Sequence, residues 1–547
     1  MRNTKRLLVA AISTALAIPM AAHATNGMNL EGYGPIATGM GGASMAYDNG
    51  TAAMMNNPAT MGLMDEGSRF DLAIGNMRPE VTTEMGNMSW DSSSDSFFMP
   101  ALGMAERRGR MTFGLGVFSQ GGMGTEYGGA TGAPGGAMSA PQAAANIDYL
   151  DSFVEEGNPE APQGHVSIQQ AMGGTATNAD NADAIATQVM GLTERSEVGV
   201  GRILIPFVYN VNNQLSLGGS VDYVWAGMDL QMAMAGSMMQ DMMPGGTQAA
   251  GTIGGGLVGA MGGMYFDPTV HNFSGGAGEP TMQDFGLSGL NHGYFDFTNN
   301  NDFTGEAKGS GFAGKLGLAY QVNSQFTVGA TYHSKTSMSD LSTNRAKVSM
   351  STLMTTLDTD TGTMVTMPVD IEMTGEIRVK NFQWPETYAL GMAYQPNDRL
   401  MVVADVRRIN WSDVMSDFTM EFVADSITMG GQDMTGMMPN DMTATLYQNW
   451  KDQTVMQLGA AYMVTQDTTL RVGYNYASNP VPAETMHYLF PAVTEKHYTA
   501  GIGHRLNDSQ GIDFSLSYVP ETKVESPHGF STSMSQLNWQ MMYSHRF

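Results

Sequence analysis

Cysteine is absent from all 547 residues, so neither disulfides nor thiol chemistry contribute. Basic residues are scarce: 26 Lys and Arg stand against 52 Asp and Glu, a formal charge of −26. That balance excludes nucleic acid as a partner, because such binding needs a basic footprint. Long apolar runs are missing as well. The most apolar stretch beyond the N-terminus, Gly251 to Met264, is rich in glycine and too short for a membrane helix, which takes about 20 apolar residues. No Gly-x-Ser-x-Gly motif marks a nucleophile, so no catalytic residue is expected and the chain does not read as an enzyme. No Met-x-x-Met ladder with nearby histidines stands out, so no metal and no cofactor is expected either.

What is present begins with a leader. Arg2, Lys5 and Arg6 are positive, Leu7 to Ile18 is apolar, and Ala22-His23-Ala24 fits an A-x-A cleavage site. Residues 1–24 therefore read as a signal peptide and Thr25 as the mature start. Export followed by membrane insertion, with no membrane helix, requires a β-barrel, because only helices and closed barrels satisfy every backbone group in lipid. Residues 25–65 show no strand alternation and are dominated by small residues. They lack the apolar content for a core of their own and read as a plug that folds inside something else.

From Arg69 onward the apolar pattern has a period of two. Leu215, Leu217, Val221, Tyr223 and Trp225 share a face, as do Leu470, Val472, Tyr474 and Tyr476. The chain ends the same way, with Leu537, Trp539, Met541, Tyr543 and the terminal Phe547 together. Such strands carry lipid on one face and a polar lumen on the other, and their aromatic ends form girdles. The expected strands are 69–77, 95–106, 110–119, 197–209, 214–227, 311–321, 325–335, 384–395, 398–409, 454–464, 468–477, 497–506, 511–519 and 534–547. Short Asn- and Asp-bearing turns such as Asn212-Asn213 and Asn323-Ser324 alternate with long connections. The expected fold class is all-β: a 14-stranded antiparallel transmembrane β-barrel, residues 67–547. Its long extracellular loops would be 120–196, 228–310, 336–383 and 410–453. The location is the outer membrane of a bacterium, and the expected state is a monomer surrounded by outer-membrane lipid and lipopolysaccharide, with detergent in any purified form.

Fifty methionines are present, clustered between Met228 and Met264. Methionine adapts to irregular apolar shapes, so Met228, Met232 and Met234 are candidates for a wall that accepts ligands of varied outline. A general preference of this chain for Met over Leu explains the same count.

Several motifs then carry a resemblance. Gly41-Gly42-Ala43 is followed by Asn56-Asn57-Pro58-Ala59; GVFSQGGMGTEY stands at 116–127, TVGATYHSK at 327–335, PETYALGMAYQPNDRLMVVADVRRINWSD at 385–413 and LRVGYNYASNPVP at 470–482. With the strand pair 497–519 and the terminal phenylalanine, the chain resembles the FadL-type family of outer-membrane transporters for long-chain fatty acids and other hydrophobic compounds. The resemblance implies an N-terminal hatch at 25–66, with Asn57, Pro58 and Ala59 as its motif near a kinked strand. It implies capture of ligand among the extracellular loops, and lateral exit beside the kink, at 110–119, with Gly114 and Gly116 as the permissive positions. It also directs Thr25, Asn26 and Gly27 toward an internal pocket.

The cargo is left open between a long-chain fatty acid and a neutral alkane or aromatic hydrocarbon. A desolvated carboxylate head needs a cation, and strand parity points Arg202, Lys315, Arg407 and Arg471 into the lumen. They serve equally well as partners of inward Asp222, Asp405 and Asp513. A water-filled porin or a surface adhesin is the alternative of another class.

Overall fold

The computed structural model describes residues 26–128, 133–134, 165–166, 191–235, 252–254, 287–299, 304–357, 364–438, 440–527 and 529–547. The leader, Thr25 and the greater part of the Met-rich stretch lie outside the described residues, as does the side chain of Met234.

Strand Gly67–Met77 pairs with Phe97–Arg108, which pairs with Met111–Tyr127. The antiparallel ladder continues through Glu194–Asn210, Leu215–Ala235, Ala307–Gln321, Phe326–His333, Thr387–Asn397, Leu400–Ile409, Gln453–Met463, Thr468–Ala477, Lys496–Arg505, Gln510–Glu525 and Ser531–Arg546. The last strand returns to the first, with Arg69 opposite Arg546, and the wall closes.

The expected total of fourteen strands is overturned: the sheet contains 25 strands among the described residues. The surplus lies where the sequence suggested loops. Leu287–Phe297, Leu341–Leu357, Met364–Val379, Asp417–Met429 and Asp441–Tyr447 follow one another in a row, attached to the far half of Leu215–Ala235. Pro79–Met85 and Met88–Asp91 form a further hairpin beside Ser531–Arg546. The physical reason is a reversal of polarity. In the membrane band the large apolar residues point outward, as Val221, Leu316 and Leu390 do, each more than 60% exposed. In the added strands they point inward: Val348, Met350, Ile371, Met373, Ile377, Met420 and Phe422 are buried, while Lys347, Glu372 and Arg378 face out. A count keyed to lipid-facing residues passes over strands with a water-facing exterior.

The short turns stand where their residue types placed them. Asn212 Oδ1 accepts from the backbone of Gln214 and Leu215, both at 2.8 Å. Asn323 and Asn397 repeat the device at their own turns. An Asx turn of this kind supplies the backbone's missing partner locally and fixes the hairpin register.

Residues 26–66 fill the lumen with one short α-helix, Pro35–Thr38, and two 3₁₀ turns, Gly50–Met54 and Pro58–Leu63. Small residues permit this. A side chain on Gly41, at φ +70°, would stand 2.6 Å from the Tyr474 carbonyl, and one on Gly42, at φ +86°, 1.9 Å from the Glu31 carbonyl. The plug is tied to the wall by polar groups. Asp405 accepts from the backbone of Ser44 at 2.6 Å and Met45 at 3.0 Å. Asp71 accepts from Thr51 at 2.8 Å, Gln457 donates to the Glu31 carbonyl at 2.7 Å, and Asn210 donates to the Gly62 carbonyl at 2.9 Å.

Candidate functional site

Strand Met111–Tyr127 keeps its pairing with Phe97–Arg108 only from Met111 to Phe118. Phe97–Pro100 stays paired with Gly67–Met77 on its other edge, so the departure belongs to Met111–Tyr127. A register shift between Ser119 and Gly121 marks a bulge at Gln120, and a bulge bends its strand. The bent edge is received inside the barrel by residues 28–33. Asn29 forms a β-bridge with Gly121, the Gly122 N–H donates to the Met28 carbonyl at 3.1 Å, and the Tyr33 hydroxyl donates to the Gln120 carbonyl at 2.7 Å. Burial pushes the Tyr33 phenol up to about 12, so it remains a donor at neutral pH.

The result is a window in the wall. Its sill is the pair Ala101 and Phe118. Its lintel is the Ser93 N–H donating to the Glu126 carbonyl at 2.8 Å, with the Glu126 N–H donating to Ser92 Oγ at 3.0 Å. Behind it lies a narrow cleft of about 30 Å³, lined by Leu30, Tyr33, Met99, Phe118 and Ser119 on the inside and reaching Ile74 and Leu102. Ile74 is one of the exposed residues of the outer belt.

A second, narrower pocket, of about 10 Å³, is separate from the first. Met28 bounds it, with Met123, Val198, Met228, Phe382, Met415, Phe418, Gln448 and Phe490. No charged side chain lines it among the described residues. Met28 and Leu30 thus line different spaces. Trp384 Nε1 donates to Asn29 Oδ1 at 2.8 Å, and Trp384, Trp411 and Trp450 meet edge to face with centroids 5.7 and 5.3 Å apart. Residues 478–495 close over this region. The Leu489 carbonyl accepts from Thr125 Oγ1 at 3.2 Å and from Ser196, and burial pushes the His487 imidazole down to about 4.

The sequence-derived residues distribute as follows. Asn26 is buried, and Gly27 lies against the Trp411 ring, where a Cβ would stand 2.7 Å from Nε1. Asn57, Pro58 and Ala59 sit away from the window, against Leu215–Ala235 and Ala307–Gln321. Side chains on Gly218 and Gly317 would collide with Ala59 and Asn57 at 2.6 and 2.1 Å, and Asn57 donates to the Leu318 carbonyl at 3.1 Å. Gly114 and Gly116 lie below the sill and face the hatch, where a Cβ would meet Met54 at 2.6 and 2.8 Å. Pairing with Glu194–Asn210 lapses at Gly114 and Leu115, opposite Pro206, which has no N–H to give. Met228 lines the second space. Met232 is buried further along the same strand.

Arg202 and Lys315 converge on Asp222, at 2.9 and 2.5 Å, and Asp222 also accepts from Ser220 at 2.6 Å. Arg471 pairs with Asp513 at 2.8 Å. Sequence reasoning missed Gln120, Asn29, Trp384 and Gln448. The one available signal was Ser119-Gln120-Gly121-Gly122, which interrupts the alternation of an otherwise apolar strand.

Residues 174–544 match the family described as outer membrane protein transport protein (OMPP1/FadL/TodX). The toluene transporter TodX of Pseudomonas putida superposes with a TM-score of 0.65 at 26% identity, over 95% of this chain and 99% of that one. The toluene transporter TbuX of Ralstonia pickettii gives 0.59 at 26% identity, over 95% and 99%. An uncharacterized Chlorobium limicola protein, encoded in the 5′ region of a phosphoenolpyruvate carboxykinase gene, is 45% identical over 82 residues, which is 15% of this chain and 39% of that relative's length. With a closed and plugged barrel, a window in its wall and a family match over most of its length, this chain belongs to the outer membrane protein transport family (OMPP1/FadL/TodX) and is a transport channel of the outer membrane rather than an enzyme.

Proposed function

We propose that the barrel passes neutral hydrophobic compounds from outside the cell to the lipid of the outer membrane. Cargo collects in the Met- and Phe-lined pocket on the extracellular side, crosses the hatch segment Met28–Leu30, and leaves sideways through the window beside Ser119. The observation that carries this is that Met28 and Leu30, on one short hatch segment, line different spaces, an apolar pocket and a cleft that reaches Ile74 of the outer belt. In this reading residues 26–66 act as the hatch, and the whole path belongs to one monomer. The motion needs no covalent chemistry. Its driving force is the removal of apolar area from water, about 25 cal/mol per Å².

Neutral cargo is favoured by the disposition of charge. Arg202 and Lys315 are both committed to Asp222, and the pocket has no charged lining among the described residues. A fatty-acid carboxylate entering it would lose water without gaining a cation. The neighbours TodX and TbuX, both toluene transporters by name, support the same class.

The test is initial uptake of labelled toluene and labelled oleate by cells lacking the protein and by complemented cells. Complementation is expected to raise toluene uptake and leave oleate unchanged. Equal toluene uptake by the two strains would end the proposal, and a gain confined to oleate would replace neutral cargo with fatty acid.

A further inference from the structure

Cations are scarce in this chain and unevenly placed on the rim of short turns. The turns at 211–214 and 322–325 carry no charge, and those at 396–399, 464–467 and 506–509 carry Asp398, Asp467 and Asp508 against Arg399. The turn Arg107-Arg108-Gly109-Arg110 carries three arginines. It joins Phe97–Arg108 to Met111–Tyr127, the two strands that part higher up to make the window.

These guanidinium groups are not all spent on carboxylates. Arg107 donates to the Met64 and Gly109 carbonyls, and Arg110 to the Val211 carbonyl at 3.5 Å. Arg108 holds Glu106 at 2.6 Å but remains 76% exposed. Of the other acids at this end of the wall, Asp65 is taken by Arg546 at 3.0 Å. Glu66 and Glu106 leave the three arginines in excess.

The wall beside the turn is apolar and faces lipid. Met111 and Tyr209 stand opposite each other, and Phe113 and Phe207 pack ring to ring with centroids 5.2 Å apart. All four are exposed on the outer belt. The strip they form runs from the turn toward the sill. Phe118 stands seven residues along the strand from Met111, about 23 Å. A barrel tilt of about 35–45° reduces this to about 16–19 Å along the membrane normal. One leaflet's share of the ~30 Å hydrocarbon core is about 15 Å. A lipid whose head lies at the turn therefore ends its chains near the sill.

Short turns face the periplasm in outer-membrane barrels, so the lipid that meets this turn belongs to the inner leaflet. A planar guanidinium fork matches a phosphate bidentately, and each cation at a membrane surface favours net-negative lipid. We infer that Arg108 and Arg110 hold the head group of one anionic phospholipid, with its acyl chains laid along Met111, Phe113 and Phe207 toward the sill of the window. The wall thus keeps a fluid apolar surface at the place where cargo leaves. That receiving role rests on the sideways exit proposed above; the lipid site itself does not.

The test is native mass spectrometry of the full chain, released from detergent micelles that carry equal amounts of phosphatidylglycerol and phosphatidylcholine. The parent is expected to retain one phosphatidylglycerol in preference to phosphatidylcholine. Arg108→Gln with Arg110→Gln is expected to lower that retention about tenfold or more. Arg399→Gln with Arg505→Gln, the same charge change elsewhere on the same rim, is expected to leave it unchanged. Heat-modifiable migration reports folding of each. Equal retention by all three proteins, or equal retention of the two lipids by the parent, would overturn the inference and reduce the contact to ordinary surrounding lipid. Should the double variant not fold, Arg110→Gln alone decides, since that side chain has no ion pair to lose among the described residues: a loss of about threefold or more supports the site, and no loss refutes it. Cargo plays no part in this readout, so a failure here and a failure of toluene uptake are told apart.

Discussion

A methyl group at Gly121 should open the channel. A Cβ on Gly121 would lie 2.0 Å from the Met28 carbonyl oxygen and 3.0 Å from the Trp384 ring, and real Cβ atoms do not approach closer than 3.0 Å. The obstacle is backbone, so it cannot swing aside as a side chain would. Hatch and strand must part by roughly 1 Å, a misfit of the kind that displaces backbone in packed interiors. That separation breaks the Gly122-to-Met28 hydrogen bond and the Asn29–Gly121 bridge. At about 0.5–1.5 kcal/mol net for each contact, the closed state loses about 1–3 kcal/mol, equivalent to roughly 5–150-fold in the population of the parted state. Toluene uptake should rise several-fold, until another step limits it. Gly314→Ala is the control, since its Cβ would sit 3.5 Å from the Ser220 carbonyl, an ordinary contact. If Gly121→Ala folds and transports at the parent rate or slower, Met28–Leu30 is not the barrier.

Other consequences can be measured directly. Ser119→Trp, at a position that lines the cleft, should fill the window and lower uptake about tenfold or more without loss of heat-modifiable folding; undiminished uptake would place the exit elsewhere, most simply past the hatch at the short-turn rim. Asp405→Ala leaves the Ser44 and Met45 N–H groups without their acceptor, at about 0.5–1.5 kcal/mol for each bond, and should loosen the hatch, seen as higher small-ion conductance in planar bilayers. Acid should loosen the cover formed by residues 478–495. His487 is held neutral down to about 4 when folded, against 6.5 when free, so the unfolded cover binds more protons between those values. Its stability is therefore full above about pH 6.5 and declines progressively as pH falls toward 4, by at most about 3 kcal/mol. Hydrogen exchange of 478–495 at pH 7 and pH 4.5 checks this, and equal protection at both would refute it.

Much of the membrane band was legible because lipid imposes one rule, apolar out, that survives at single-residue resolution. Leu470, Val472 and Tyr498 follow it without exception. The strands above the band were not legible as such. Leu341–Leu357 buries Val348 and Met350 against protein and shows Arg345 and Lys347 to water, the pattern of any soluble edge. The window was hidden for a different reason. Nothing local in Ser119-Gln120-Gly121-Gly122 says which neighbour the strand abandons; that depends on Asn29 and Met28, far earlier in the chain. The motif's role could be read from its contacts alone and not from its residue types. Asn57, Pro58 and Ala59 serve the tight approach to Gly218 and Gly317, on strands away from the bend. Gly473 packs against Gly41, where a Cβ would stand 2.0 Å from the Gly41 nitrogen, a contact no local pattern announces.

The seam between the first and last strands bears on how the molecule is put together. Arg69 reaches Ser544 across 475 positions of sequence, so the closing ladder is among the most non-local contacts a chain of this length can make, and such contacts are the slowest to form. The hatch touches walls contributed from Asp71 to Thr499, nearly the whole circuit. Asp405, Gln457 and Asn475 hold its backbone from three different strands, so the plug and the closing seam both draw on contacts from the whole length of the chain.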